Sequence, residues 1–313
     1  MECHDMENQK EVILLVDDEL EIRQMILDYL RENENYIVFE AASGAEALEI
    51  LSREHIDLVL SDINMPAMRG FDLLKEVRDR YPAVKRVLIT AYNVEDYFEM
   101  AMKYDIGNIF VKTSPFNFAE LSSILNKLLR NDIFGLHHYF EPGVQSSQYK
   151  ILSSRNLDKD AMKIVEMIGD KEEANRLELV IVELLTNAIF YGIRNEIPDR
   201  KETWEHDFVL TDDEAITVTI ARDSEKYAVS ICDVGGRLKK TDVLYWLNRQ
   251  NSRDQNGLPV GLYDSHGRGL FIARRYIDRL IINIDKARRT EVIIINYYSD
   301  TFKGHKPLYI NEI

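Results

Sequence analysis

Over its first 130 residues the chain alternates short apolar runs with stretches whose apolar positions recur at helical spacing. Val12–Val16 is a continuous apolar run that ends in two aspartates, the pattern of a strand buried on both faces. In Glu19–Arg31, Ile22, Met25, Ile26, Tyr29 and Leu30 fall on one helical face. Tyr36–Phe39 reads as a second strand. Ser43–Leu51 reads as a helix, with Ser43 at the N-cap and Glu46 three residues on, the spacing of a capping box. Leu58–Leu60 is a third strand that runs straight into Asp62. Phe71–Arg80 is a helix stopped before Pro82. Val87–Ile89 and Ile109–Val111 are strands, and Val94–Tyr104 and Phe118–Arg130 are helices. Five β–α units in succession predict a doubly wound parallel sheet with helices on both faces.

The alternation then stops. The Pro-Gly and Ser-Ser pairs between 132 and 156 mark a connector. Beyond it the order changes. Two helical patterns, Leu157–Ile168 and Glu172–Tyr191, precede two strands, Ala215–Ala221 and Tyr227–Ile231. A polar stretch, 237–266, leads to a helix over Leu270–Asp278 and two closing strands, Leu280–Ile284 and Thr290–Tyr297. The expected organisation is an α/β unit over residues 1–131, a linker over 132–156, and an α+β sandwich over 157–313.

Composition narrows the classes. A hydrophobic share of 45% in 313 residues is enough for two cores. Two cysteines argue against a disulfide framework. No apolar run nears a membrane span and the first residues carry no secretory pattern, so a soluble, cytoplasmic chain is expected. The net charge is -15, with 25 acidic against 14 basic residues in the first 130. An acidic surface of this kind argues against a nucleic-acid partner.

In a parallel sheet, ligands bind at the carboxyl ends of the strands. Asp17 and Asp18 end the first strand, Asp62 the third, Thr90 the fourth and Lys112 the fifth. Like charges about 4 Å apart repel by about 4 kcal/mol at an effective dielectric of 20, so three carboxylates on one rim call for a cation. An all-oxygen site suits Mg²⁺. A carboxylate held there can act as a nucleophile toward phosphorus, with a hydroxyl and an ammonium ready for the added oxygens. The stretch 11–131 resembles response-regulator receiver domains in Asp17–Asp18, in Asp62 followed by Met65–Pro66 and Gly70, in Thr90–Ala91 and in Lys112. The resemblance implies phosphorylation of Asp62 by a partner histidine kinase, with Mg²⁺ held by Asp17, Asp18 and Asp62. Two positions depart from the family. Two residues separate Lys112 from Pro115, where the family has proline directly after the lysine. Ile109 stands where the family has a switch aromatic, and Phe110 beside it is expected to face the other way.

The second half carries a looser constellation. Glu183 and Asn187 lie four apart and share one helical face. A strand ends in Asp233, followed by Gly235 and Gly236, which let backbone approach a flat ligand. Gly267, Arg268 and Gly269 open a helix whose free N–H groups favour phosphate. In this order the pieces resemble the N, G1 and G2 boxes of the GHKL (Bergerat) ATPases, most closely the anti-sigma-factor serine/threonine kinases. The resemblance implies ATP with Mg²⁺ on Asn187, Glu183 as the catalytic group, Asp233 and Gly235 at the base, Gly267, Arg268 and Gly269 at the phosphates, and 237–266 as a lid. The glycines after Asp233 are adjacent, where the family spaces them. Arg274, Arg275 and Arg279 read as a solvated or partner-binding helix face.

The expectation is a response regulator whose Asp62 phosphorylation controls an ATP-dependent protein kinase. Its protein partner would be a STAS-type anti-anti-sigma factor or a sigma factor, and a homodimer is compatible with the pattern. Two alternatives stand beside it: a non-catalytic, anti-sigma-like binding switch, and an atypical histidine kinase using His137 or His138. The aromatic context of those histidines fits a packed linker better.

Overall fold

The computed structural model describes residues 10–170, 173–195, 207–255, 257, 260–261 and 268–313. Its first half is a five-stranded parallel sheet of β1 (Glu11–Val16), β2 (Tyr36–Ala41), β3 (Leu58–Asp62), β4 (Lys85–Thr90) and β5 (Asn108–Val111). The helices between and after them are α1 (Leu20–Arg31), α2 (Gly44–Leu51), α3 (Gly70–Arg80), α4 (Phe98–Tyr104) and α5 (Phe118–Arg130). The strand order β2-β1-β3-β4-β5 is that of a doubly wound sheet. The cap at α2 forms as its spacing predicts: Ser43 Oγ accepts from the Glu46 N–H, and Glu46 reaches back to the N–H of Ala42.

In the second half, α6 (Leu157–Ile168) and α7 (Ala174–Thr186) come first. α7 then widens into a π-helical turn over Asn187–Ile193. A sheet of β7 (Ile216–Arg222), β8 (Lys226–Asp233), β9 (Arg279–Asp285) and β10 (Arg289–Tyr297) packs on these helices, with α9 (Arg268–Tyr276) between β8 and β9 in the chain. Three elements differ from expectation. Ser146–Ile151, inside the stretch read as linker, forms edge strand β6 against β7. Lys240–Asn251, inside the polar stretch, is helix α8, with Val243, Leu244 and Leu247 buried. Leu308–Glu312 forms β11.

That last strand sets the architecture. β11 runs antiparallel to β5, pairing Leu308 with Ile109, and parallel to β9, pairing Ile310 with Ile282. The two halves therefore share one sheet of eleven strands, ordered β2-β1-β3-β4-β5-β11-β9-β10-β8-β7-β6. One hydrophobic cluster runs along one face from Leu14 and Phe98 to Val243, Leu184 and Ile231. A second fills the other face beneath α1, α5 and the connector. A polar ladder crosses the centre of the second half. Glu291 accepts from Ser230 Oγ at 2.6 Å, from Asn283 Nδ2 at 2.9 Å and from the N–H of Gly135 in the connector, and Asn311 Nδ2 donates to Asn283. Pairing of this kind satisfies buried polar groups and rejects other strand registers.

The two halves also meet through charge. Arg279 Nε lies 2.7 Å from Glu120 on α5, and Tyr309 donates to the same carboxylate. Lys240 on α8 lies 2.8 Å from Asp105, at the end of α4. Asn251 donates to the carbonyl of Glu95, whose carboxylate lies 3.6 Å from Arg274 Nε. Arg274 and Arg279 are 3% and 2% exposed. Reading them as a solvated helix face is thus corrected: their charge is spent on the seam and on the carbonyls of Lys306 and Pro307. His138, in the connector, is held down to about 4 by burial, with His137 and Lys127 nearby, so its ring is neutral at pH 7.

Candidate functional sites

The first site lies at the carboxyl ends of β1, β3, β4 and β5. Asp17 is fully buried and Asp62 is 6% exposed. Lys112 Nζ lies 2.8 Å from Asp17 Oδ2 and 2.6 Å from Asp62 Oδ1, so it bridges the two carboxylates. Asp62 Oδ2 accepts from the N–H of Asn64 at 2.5 Å, and Asp17 Oδ1 from that of Glu19. Thr90 is buried beside them, and its Oγ1 accepts from the N–H of Tyr92. Asp18 sits exposed at the rim. Burial raises the pKa of Asp17 above the ordinary carboxylate range; Lys112 opposes that rise and Asp62 adds to it. For Lys112, burial works against the charge, but the two aspartates outweigh it and its pKa is raised. Asp62 adds to the rise at Asp17, a pairing that favours a further cation, and the all-oxygen set of Asp17, Asp18 and Asp62 fits Mg²⁺.

Around this site the Ser114–Pro115 peptide is cis. Ile109 packs into the cluster with Phe98 and Ala101, whereas Phe110 faces the other cluster against Phe116, as strand alternation requires. An aromatic ring does reach the rim, from a different element. Tyr97, just before α4, accepts from Asn64 Nδ2 at 2.9 Å. Neither residue was marked by the sequence; each acts through a contact between residues 33 positions apart.

The second site is a cavity of about 260 Å³ between α7, its π-helical continuation, β8, α8 and α9. Asn187, Gly192 and Asp233 line it, with Leu184, Tyr191, Ile231, Trp246, Leu270 and Val292 among the apolar walls. Asp233 is 5% exposed and accepts from the N–H groups of Gly235 and Gly236. Burial nevertheless raises its carboxyl to about 6. The glycines permit close packing: a Cβ on Gly235 would lie 1.9 Å from the carbonyl oxygen of Gly192. Gly269, at the start of α9, faces the other end of the site. A Cβ there would lie 2.8 Å from Glu183 Oε2 and 3.1 Å from Asn187 Nδ2. Glu183, Asn187, Gly192, Asp233, Gly235 and Gly269 thus form one continuous neighbourhood.

Arg268 does not join them. It lines a separate cationic cavity of about 510 Å³ with Arg253, Arg275 and Lys306. Gly267 and most of the end of the proposed lid lie outside the described residues. Most of the described part of the lid is helix α8, which packs against α4. Trp246, on the cavity wall, was missed by the sequence reading. Its signal was the i, i+1, i+4 spacing of Val243, Leu244 and Leu247 around it.

The doubly wound sheet and its acidic rim define the first half as a receiver unit. Residues 13–126 match the response regulator receiver domain family. Over 124 residues the chain is 34% identical to sporulation initiation phosphotransferase F of Bacillus subtilis, covering 40% of this chain and 96% of that protein. It is 35% identical over 120 residues to response regulator protein FleR of Pseudomonas aeruginosa, covering 38% of this chain and 24% of that protein. Among solved structures, response regulator TrrA of Thermotoga maritima, in complex with Mg(2+)-BeF, is 35% identical over 38% of this chain and 98% of its own, with a TM-score of 0.34. The chain belongs to the response regulator receiver family through its N-terminal unit. It is a two-component protein, which implies a phosphoryl donor such as a histidine kinase, and receiver domains typically bind Mg²⁺ at the phosphorylation site. Among the described residues no helix is long and apolar enough to cross a membrane.

Proposed function

We propose that Asp62 accepts a phosphoryl group from a histidine kinase and that this event controls an ATP-dependent protein kinase in the second half of the chain. Mg²⁺, when bound by Asp17, Asp18 and Asp62, would offset charge on the transferring group. Asp62 is the nucleophile in this reading, because its carboxylate is buried at the strand tip with Lys112 against it. Thr90 and Lys112 then hold the added oxygens, which requires Lys112 to release at least one carboxylate.

The second half is read as a GHKL-type unit that binds ATP. The observation carrying this is that Asn187 and Asp233 line one cavity while Gly269 packs against Glu183 and Asn187 at its edge, which brings together three separate stretches of sequence. Asp233 accepts from an amino group of the base between apolar walls. Asn187 offers an amide oxygen to Mg²⁺ at the phosphates. Glu183 takes the proton from a Ser or Thr hydroxyl of a protein partner, in keeping with the resemblance to anti-sigma-factor kinases that act on STAS-type proteins. Control by the receiver is supported by the seam: α4 and the turn before it hold α8 and α9 through Asp105, Glu95 and Arg274.

Incubation with labelled ATP and candidate STAS partners tests the reading. An acid-stable label on the partner is expected, lost in Glu183→Ala. Asp62→Asn should remove its dependence on a phosphoryl donor. A label retained by Glu183→Ala would overturn the role of Glu183, and an acid-labile product would point to a histidine acceptor.

A further inference from the structure

We propose that Asp132, His137 and His138 form a binding site for a borderline transition-metal ion such as zinc, in the turn that passes from α5 into the connector. Nothing in the two phosphate sites requires it, so it stands apart from the reading above.

The geometry comes first. Asp132 Oδ2 lies 3.5 Å from His137 Nε2 and 3.7 Å from His138 Nε2, and one ligand atom of each residue falls within 4.8 Å of the others. An ion about 2.0–2.1 Å from each tetrahedral ligand holds those ligands roughly 3.4 Å apart. The three groups need only small side-chain adjustments to take up that spacing.

A second observation is independent of the distances. His138 Nε2 is buried and has no hydrogen-bond partner among the described residues. That nitrogen lies 3.7 Å from Asp132 Oδ2. A buried imidazole nitrogen that has no hydrogen-bond partner and is turned toward a carboxylate is placed to ligate an ion. With His138 only 12% exposed, that nitrogen is largely shut off from solvent.

The donor set names the ion class. Two imidazoles and one carboxylate suit zinc and its neighbours, whereas Mg²⁺ and Ca²⁺ prefer oxygen alone. A fourth position stays open to water on the exposed side, where His137 is 66% exposed. The bound ion would tie the end of α5 to the connector that delivers Gly135 to Glu291.

The test uses the full chain without an affinity tag, in a Cys3→Ala/His4→Ala background that removes other soft ligands near the N-terminus. Excess Mg²⁺ occupies the receiver carboxylates. Calorimetric titration with zinc alone should show one saturable equivalent, and cobalt should give a visible d–d band at the same stoichiometry. His137→Gln and Asp132→Asn change exposed side chains and should leave the fold intact. Each should weaken zinc binding by at least about tenfold. No saturable zinc binding, or undiminished affinity in both variants, would overturn the proposal.

Discussion

Replacing Asp233 by asparagine should move stability and nucleotide binding in opposite directions. Asp233 is 5% exposed, and burial raises its carboxyl from 3.8 to about 6 despite the N–H groups of Gly235 and Gly236 donated to it. The folded pKa therefore lies above the unfolded one. The stability linked to the protonated form is fully present below the unfolded value and is lost as pH rises through the folded one. At 1.36 kcal/mol per unit, a rise of about two units is worth about 3 kcal/mol, all of it lost by pH 8. Asparagine is neutral at every pH and keeps an oxygen for the Gly235 N–H, so it avoids that loss. In urea unfolding, Asp233→Asn should exceed the parent by only about 0.5 kcal/mol near pH 4 and by up to about 3 kcal/mol at pH 8. The same change removes the carboxylate proposed to accept from the base. ATP at roughly 100 times its dissociation constant should stabilise the parent by about 2.7 kcal/mol, and the variant by much less. A stability difference that does not vary with pH would refute the electrostatic reasoning. A preserved ATP effect would refute the assignment of Asp233 to the nucleotide.

Two further changes probe the second half and the seam. Gly269→Ala places a Cβ 2.8 Å from Glu183 Oε2. It should abolish the ATP-induced rise in melting temperature while leaving the free protein near its parent stability, since alanine favours helix by about 1 kcal/mol over glycine; an unchanged ATP-induced rise would count against the site. Arg279→Ala strands the nearly buried Glu120, to which Arg279 is paired at 2.7 Å. A loss of about 3–5 kcal/mol in urea unfolding is expected, and one under about 1 kcal/mol would show that the pair is effectively solvated.

The receiver half was legible because its information is local. Apolar runs of strand length, helical spacing and the Ser43 cap each depend on a few neighbouring residues, and a strand's last residue lies at the sheet's ligand-binding edge by construction of the fold. The sequence alone thus places Asp17, Asp62, Thr90 and Lys112 together. The second site was partly legible. Glu183 and Asn187 share a helical face, but only packing could bring Gly269 against both or set Arg268 on another wall.

What the tertiary structure alone decided involves partners far apart in the chain. Leu308–Glu312 lies beyond the last strand that the sequence pattern predicts, and its place between β5 and β9 follows from edges that neighbouring sequence does not describe. The burial of Arg279 depends on Glu120, 159 positions away, and that of Arg274 on carbonyls more than 30 positions away. A charged side chain reads as exposed until its counter-charge is placed, because the cost of desolvation is decided by the partner and not by the residue itself. Local patterning therefore determined the receiver's strands, helices and acidic rim and most elements of the second half. Long-range pairing determined that receiver and second half share one sheet, and so how a change at Asp62 could reach the cavity around Asp233.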